Sequence, residues 1–292
     1  MEARIGEQAQ KWLPPRGGAS RLGGESEPPP DQKIGERSRC DLQRGLLETG
    51  HAAQERPLLY VRINSLDTPF WSEDLAAIMP ARPDGIVLPK PTSGEDVHQL
   101  AVALDHGEQP ACTARGATRI LPIATEVAIS VLQMHTYVGA SSRMDAFSWG
   151  AEDLSSQVGA ATNRRPDGDY TSPYRLARDL CLLTAVAASA QPIDTVYVNF
   201  RDEGGLIKEA REAARDGFTG KMAIHPAQVA PINAAFTPSA EEISQAQRIV
   251  QVFADNPTSG VGSLDGEMLD RPHLVRAERI IARARAAGVL AS

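Results

Sequence analysis

Four short apolar runs in this chain each end on a polar or charged residue set in an unusual local sequence. Leu-Tyr-Val-Arg-Ile-Asn offers Arg62, Ile-Val-Leu-Pro-Lys-Pro offers Lys90, and Leu-Pro-Ile-Ala-Thr-Glu offers Glu126. Phe-Ser-Trp-Gly-Ala-Glu-Asp-Leu offers Glu152 and Asp153. In a parallel barrel the C-terminal strand ends converge on one face, so these groups would surround one pocket. Two carboxylates there, Glu126 and Asp153, suit Mg2+, a hard cation that prefers oxygen ligands and keeps part of its water shell. So small a protein ligand set leaves room for a chelating substrate, such as a 2-oxo acid using its keto and carboxylate oxygens. Arg62 would then stabilise the enolate oxygen that develops as a carbon–carbon bond breaks. One preorganised donor of that kind is worth about 3–4 kcal/mol.

Taken one at a time, these residues have plainer readings. An acidic residue at a strand end commonly caps a helix or sits on the surface, and Arg62 and Lys90 fit ion-paired rim positions equally well. Glu152 reads as a solvated neighbour of Asp153 rather than a second ligand. His225, in Ala-Ile-His-Pro-Ala-Gln, reads as a hydrogen-bonded structural histidine rather than a base.

The elements that must position these groups begin after Arg56. Short apolar runs, which suit buried parallel strands, alternate there with longer helical patterns. The expected strands are Leu58–Ile63, Gly85–Leu88, Ile120–Ala124, Met144–Phe147, Thr195–Val198 and Met222–Ile224. Ser93 followed by Asp96 reads as a capping box, with Val97, Leu100, Ala101 and Leu104 as the apolar stripe behind it. Thr237-Pro238 reads as a cap and first-turn proline before Ile243, Ala246, Ile249, Val250 and Phe253. Leu274, Ala277, Ile281 and Ala284 give a last amphipathic helix, closed by Gly288. Strand–helix alternation means a parallel sheet, either open or closed into a barrel. Six strands are legible where a (β/α)8 barrel needs eight. An open doubly wound sheet would carry a Gly-rich phosphate turn, and neither GxGxxG nor GxxxxGK[ST] occurs. Periodicity leaves both architectures open.

Residues 1–56 differ in texture: Pro14-Pro15, Gly17-Gly18, Gly23-Gly24 and Pro28-Pro29-Pro30 leave no readable buried strand, and only a weak helical pattern runs from Asp31 to Glu48. The expected organisation is therefore a divergent or disordered segment over 1–56, a barrel domain over 57–236, and C-terminal helices with a lid segment over 237–292.

The chain has 292 residues and a formal net charge of −7, which gives no electrostatic reason to expect nucleic acid. No apolar stretch is long enough to cross a bilayer, and no secretory signal is legible. Cys40, Cys112 and Cys181 lie far apart without CxxC spacing, which argues against a disulfide framework or zinc site and fits a cytoplasmic location.

The order of these segments resembles the citrate lyase β-subunit, malyl-CoA lyase and citramalyl-CoA lyase group of the HpcH/HpaI aldolase superfamily. The resemblance rests on Val-Arg-Ile-Asn (61–64), Leu-Pro-Lys-Pro (88–91), Ile-Ala-Thr-Glu (123–126) and Trp-Gly-Ala-Glu-Asp-Leu (149–154). It continues through Gly-Phe-Thr-Gly-Lys-Met-Ala-Ile-His-Pro-Ala-Gln (217–228) and Ala-Phe-Thr-Pro-Ser (235–239), and ends with Leu-Asp-Gly-Glu-Met-Leu-Asp-Arg-Pro-His (264–273). It implies a TIM (β/α)8 barrel whose first two strands are poorly represented in this sequence. It also implies Mg2+ on residues matching Glu126 and Asp153, and substrate contact by the residue matching Arg62, with Lys90 beside it. In the CoA-lyase branch a C-terminal segment of a neighbouring subunit brings an acidic residue over the site. Asp270 holds that position here in preference to Asp265, which implies a homotrimer or a dimer of trimers. The expected reaction is Mg2+-dependent cleavage of a hydroxyacyl-CoA thioester to acetyl-CoA and a 2-oxo acid. Alternatives are a metal-dependent 2-oxo acid aldolase or a thioesterase on the same site, or a non-catalytic relative.

Overall fold

A computed structural model describes residues 57–256 and 259–291. The expectations for residues 1–56 lie outside the described residues.

Among the described residues, six parallel strands follow one another in chain order: β1 (Tyr60–Arg62), β2 (Gly85–Leu88), β3 (Arg119–Pro122), β4 (Ala146–Ser148), β5 (Gln191–Asp194) and β6 (Gly220–Lys221). β1, β2 and β3 pair in one sheet and β4, β5 and β6 in another. Two parallel bridges, Ile120 with Met144 and Ile123 with Ser148, join β3 to β4, so the six form one continuous array. Between them run α1 (Trp71–Ile78), α2 (Gly94–Glu108), α3 (Ala128–Leu132), α4 (Ala151–Val158), α5 (Ser172–Ala187) and α6 (Glu203–Asp216). Strictly sequential parallel strands with helical crossovers are the order of a (β/α) barrel rather than of a doubly wound sheet.

Alternation along each strand sorts its side chains between two cores. One core joins Leu59, Val61, Ile86, Leu88, Ile120 and Phe147 to the buried stripes of the helices, including Val97, Leu100 and Leu104 of α2 and Ala177 and Cys181 of α5. The other takes Tyr60, Val87, Leu121, Ile123, Ala146 and Ile193 on the opposite, concave face. Both faces are covered, which is why the runs read as continuous apolar stretches rather than alternating ones. Gly85 is required inside: a Cβ there would lie 2.2 Å from Tyr60 Cε1.

A buried ionic knot fixes α2 against the start of β3. Arg143 Nη1 donates to Glu108 Oε1 at 2.8 Å and to the Thr118 carbonyl at 2.9 Å, and its Nη2 donates to Glu108 Oε2 at 2.7 Å. Burial alone would raise the Glu108 carboxyl, but Arg143 and the N–H groups of Thr118 and Gly116 pull it down to about 2.

Beyond β6, α7 (Val229–Phe236) and α8 (Ala240–Asp255) precede an antiparallel hairpin of β7 (Val261–Leu264) and β8 (Glu267–Asp270), followed by α9 (Arg271–Ala286). The hairpin and α9 pack chiefly on α8 and on each other.

The local expectations need four corrections. The fifth strand is Gln191–Asp194, not Thr195–Val198. Pro192 misleads, because a proline normally argues against a central strand. Its carbonyl accepts from Thr219 N–H, so its missing N–H falls on the β6 side, where that ladder is only beginning. The β-branched run after it leaves the sheet as loop. The sixth strand likewise ends at Lys221, although Met222 N–H still donates to the Asp194 carbonyl at 2.8 Å. Ser93 caps α2 by accepting from Glu95 N–H at 3.3 Å, but Asp96 turns to the N–H and Oγ1 of Thr92, so no box closes. The capping box of α8 is Ser239 with Glu242, while Thr237 ends α7 by donating to the Asn233 carbonyl.

Candidate active site

Each of the first four strands delivers one polar residue at its C-terminal end. Arg62 is the last residue of β1, with an exposed side chain, and shares the concave face with Tyr60 two positions earlier. Lys90 lies two residues past β2, Glu126 four past β3, and Asp153 in the first turn of α4 after β4.

Lys90 is the hinge of the site. Its φ is +51°, a left-handed conformation that costs a non-glycine residue roughly 1–3 kcal/mol and persists only where its surroundings impose it. Two buried prolines, Pro89 and Pro91, flank it. In this conformation its backbone N–H donates to Glu126 Oε2 at 2.6 Å, while its ammonium reaches Asp153 Oδ1 at 3.0 Å. One residue therefore touches both carboxylates.

Glu126 is only 7% exposed. Burial, and after it the negative charge of Asp153, push its carboxyl up to about 7, against the opposing pull of the Lys90 N–H, Arg62 and the Lys90 ammonium. Gly150 backs this carboxylate: a Cβ at Gly150 would lie 2.8 Å from Glu126 Cγ and 3.5 Å from its Oε1. The strand ends carrying the two acids are also tied together directly. Gly150 N–H donates to Thr125 Oγ1 at 2.9 Å, and Thr125 Oγ1 donates to the Gly150 carbonyl at 3.2 Å. Behind them, Ser130 Oγ donates to the Ala124 carbonyl and lies 2.6 Å from Tyr137 Oη, which donates to the Pro91 carbonyl at 3.3 Å. The turns of Lys90 and Glu126 are thus pinned through one buried hydroxyl pair.

The donor set has the chemistry of a divalent cation site with most positions open. Two carboxylates face each other closely enough for one to raise the other, and a doubly charged ion relieves that repulsion where a proton otherwise would. Among the described residues no group of three or more His, Cys, Asp or Glu is placed to hold a metal ion, so any ion here keeps sites for water or substrate oxygens.

The remaining candidates lie elsewhere. Glu152 accepts from Asn163 Nδ2 at 2.7 Å, which commits it to the loop after α4. His225 accepts from Ala227 N–H at 3.1 Å and stacks on the Phe200 ring, with centroids 4.9 Å apart. Asp270 ends β8 and caps α9, where its Oδ1 is 2.5 Å from His273 Nδ1. Among the described residues no hydrogen bond or ion pair joins Asp270 to Arg62, Lys90, Glu126 or Asp153.

A second cluster supports the site and escaped the sequence reading. Lys221 is fully buried, and its Nζ lies 2.7 Å from both Asp194 Oδ2 and Glu209 Oε1. Trp149 Nε1 donates to Asp194 Oδ1 at 2.7 Å. Burial would raise the Asp194 carboxyl, but Lys221 and Arg178 hold it below the usual range. The indole so anchored immediately precedes Gly150. The available signal was a lone lysine leading into the apolar run Met222–Ile224, since Lys is almost never fully buried unless paired.

A family model described as HpcH/HpaI aldolase/citrate lyase matches residues 40–226, and one described as a carbon–carbon bond lyase of the TIM-barrel fold matches residues 172–289. The citrate lyase subunit beta of Leuconostoc mesenteroides subsp. cremoris is 35% identical over 230 residues, covering 78% of this chain and 74% of that one. The (3S)-malyl-CoA thioesterase of Cereibacter sphaeroides is 34% identical over 259 residues, covering 88% and 82%. The crystal structure of CitE from Mycobacterium tuberculosis in complex with magnesium, acetoacetate and coenzyme A superposes with a TM-score of 0.69 at 29% identity, covering 89% of this chain and 87% of that one. The six-strand array is accordingly TIM-barrel-like, and the chain belongs to the HpcH/HpaI aldolase/citrate lyase family of carbon–carbon lyases.

Proposed function

We propose that this protein cleaves a hydroxyacyl-CoA thioester of the citryl, malyl or citramalyl type into acetyl-CoA and a 2-oxo acid, with Mg2+ held by Glu126 and Asp153. The observation that carries the proposal is the convergence of Arg62, Lys90, Glu126 and Asp153 at four consecutive strand ends, with Lys90 touching both acids. The magnesium and coenzyme A of the M. tuberculosis CitE complex support the same ligand classes here. Closure of the six-strand array into a complete (β/α)8 barrel belongs to the same reading.

When bound, Mg2+ supplies positive charge that orients and polarises the substrate's oxygens. Arg62, exposed at the mouth, faces the thioester oxygen that becomes enolate, and Lys90 faces the substrate's carboxylate. Cleavage removes the hydroxyl proton, turns that carbon into the 2-oxo carbonyl of the departing acid, and leaves the bonding pair on the thioester α-carbon. Protonation of that carbon completes acetyl-CoA. Asp270, delivered by a neighbouring copy in a homotrimer or hexamer, is the proton carrier in this scheme. Its half-exposed position at the base of the hairpin leaves it available to a second chain.

The test is release of both products from malyl-, citramalyl- and citryl-CoA with and without Mg2+. Metal-dependent release, lost in Glu126→Ala, is expected, and no turnover from the folded oligomer would refute the proposal. Hydrolysis of the thioester is the second reading, favoured by the C. sphaeroides relative. It yields free CoA and the intact hydroxy acid, so the product pair separates the two.

A further inference from the structure

We infer that the Lys90 ammonium is the resident cation of the carboxylate pair: it holds Asp153 beside Glu126 until a divalent ion displaces it, and so weakens the protein's affinity for that ion. The inference rests on Glu126 and Asp153 being the metal ligands.

Among the described residues, Lys90 is the one cationic side chain within ion-pair distance of either carboxylate, at 3.0 Å from Asp153 Oδ1. Its backbone N–H holds Glu126 at 2.6 Å independently of what the side chain does. The left-handed φ of +51° and the flanking buried prolines fix the Cα, so the exposed ammonium can leave Asp153 but cannot leave the mouth. A unit positive charge retained within a few ångströms of a divalent ion repels it. The same residue thus stabilises the pair before the ion arrives and opposes the ion afterwards. The released ammonium is left facing the space that an anionic substrate must enter, so metal binding turns a ligand-blocking charge into a substrate-binding one.

Lys90→Met separates this from a merely structural role, because it keeps the stem length and the backbone N–H while removing the charge. Isothermal titration of the full chain with Mg2+ alone, at mildly alkaline pH, is expected to show roughly two- to fivefold tighter binding in Lys90→Met than in wild type. Lys90→Arg retains a cation and should bind Mg2+ no more tightly than wild type. If Lys90 instead orients Asp153 as a ligand, Lys90→Met binds Mg2+ more weakly. Equal or weaker binding in Lys90→Met, or a gain in Lys90→Arg, overturns the inference and leaves the metal site intact. Absence of Mg2+ binding in the folded wild-type protein overturns the metal site itself, and the inference with it.

Discussion

Gly150→Ala is the sharpest test of how the site is built, because it adds one methyl group at a position whose backbone tolerates it. Gly150 has φ −128° and ψ 122°, which alanine adopts without strain, and its hydrogen bonds to Thr125 are made by backbone groups that the substitution retains. The whole perturbation is therefore steric. The new Cβ would fall 2.8 Å from Glu126 Cγ, and ordinary contact starts at 3.4 Å, so about 0.6 Å of separation must be recovered. The Ile123 Cγ2 atom on the same side, at 3.5 Å, offers no escape, and Glu126 is buried and held by Lys90. The carboxylate is the part that yields. Overpacking of this kind costs about 1–3 kcal/mol of stability. A misplaced group at the reacting centre costs on the order of a hundredfold in turnover when the displacement reaches about 1 Å. We expect thermal unfolding to fall by several degrees, Mg2+ to bind about tenfold more weakly by titration calorimetry, and turnover to drop by roughly one to two orders of magnitude. A variant that loses stability but keeps wild-type Mg2+ affinity and turnover would remove Glu126 from the metal site.

Other outcomes follow from named contacts. Lys221→Met leaves the buried Asp194 and the half-buried Glu209 without their shared ammonium and should cost about 3–5 kcal/mol in denaturant unfolding; Glu209→Gln in that background should recover part of the loss. The Glu108 carboxyl, held near 2 in the folded chain against 4.5 ordinarily, contributes stability that is present above about pH 4.5 and is lost as pH falls toward 2. Urea unfolding at pH 6 and pH 3 should therefore show a wild-type difference larger by about 2 kcal/mol than that of Glu108→Gln. Arg62→Ala should lower turnover about 10²- to 10³-fold with Mg2+ affinity nearly unchanged, since in the proposed reaction Arg62 acts on developing charge; an equal loss of metal binding would assign it a different role.

The sequence by itself determined the strand–helix alternation, and with it four of the six strands. Apolar runs such as Gly85–Leu88 have no other stable place than a sheet covered on both faces. It also marked Arg62, Lys90, Glu126 and Asp153, because polar residues closing apolar strands are legible without coordinates. Only the tertiary structure decided how they meet. Nothing local shows that Lys90 adopts a left-handed turn to serve both acids, or that Gly150, 24 positions further along, leaves no room for a Cβ beside the Glu126 side chain. The fifth strand was misplaced for the same reason: Pro192 is acceptable only where the neighbouring ladder begins, a fact that resides in β6 and not in the run around it. The Lys221–Asp194–Trp149 cluster likewise joins β6, β5 and the residue that follows β4, and the value of a buried charge depends entirely on partners that the chain supplies from elsewhere.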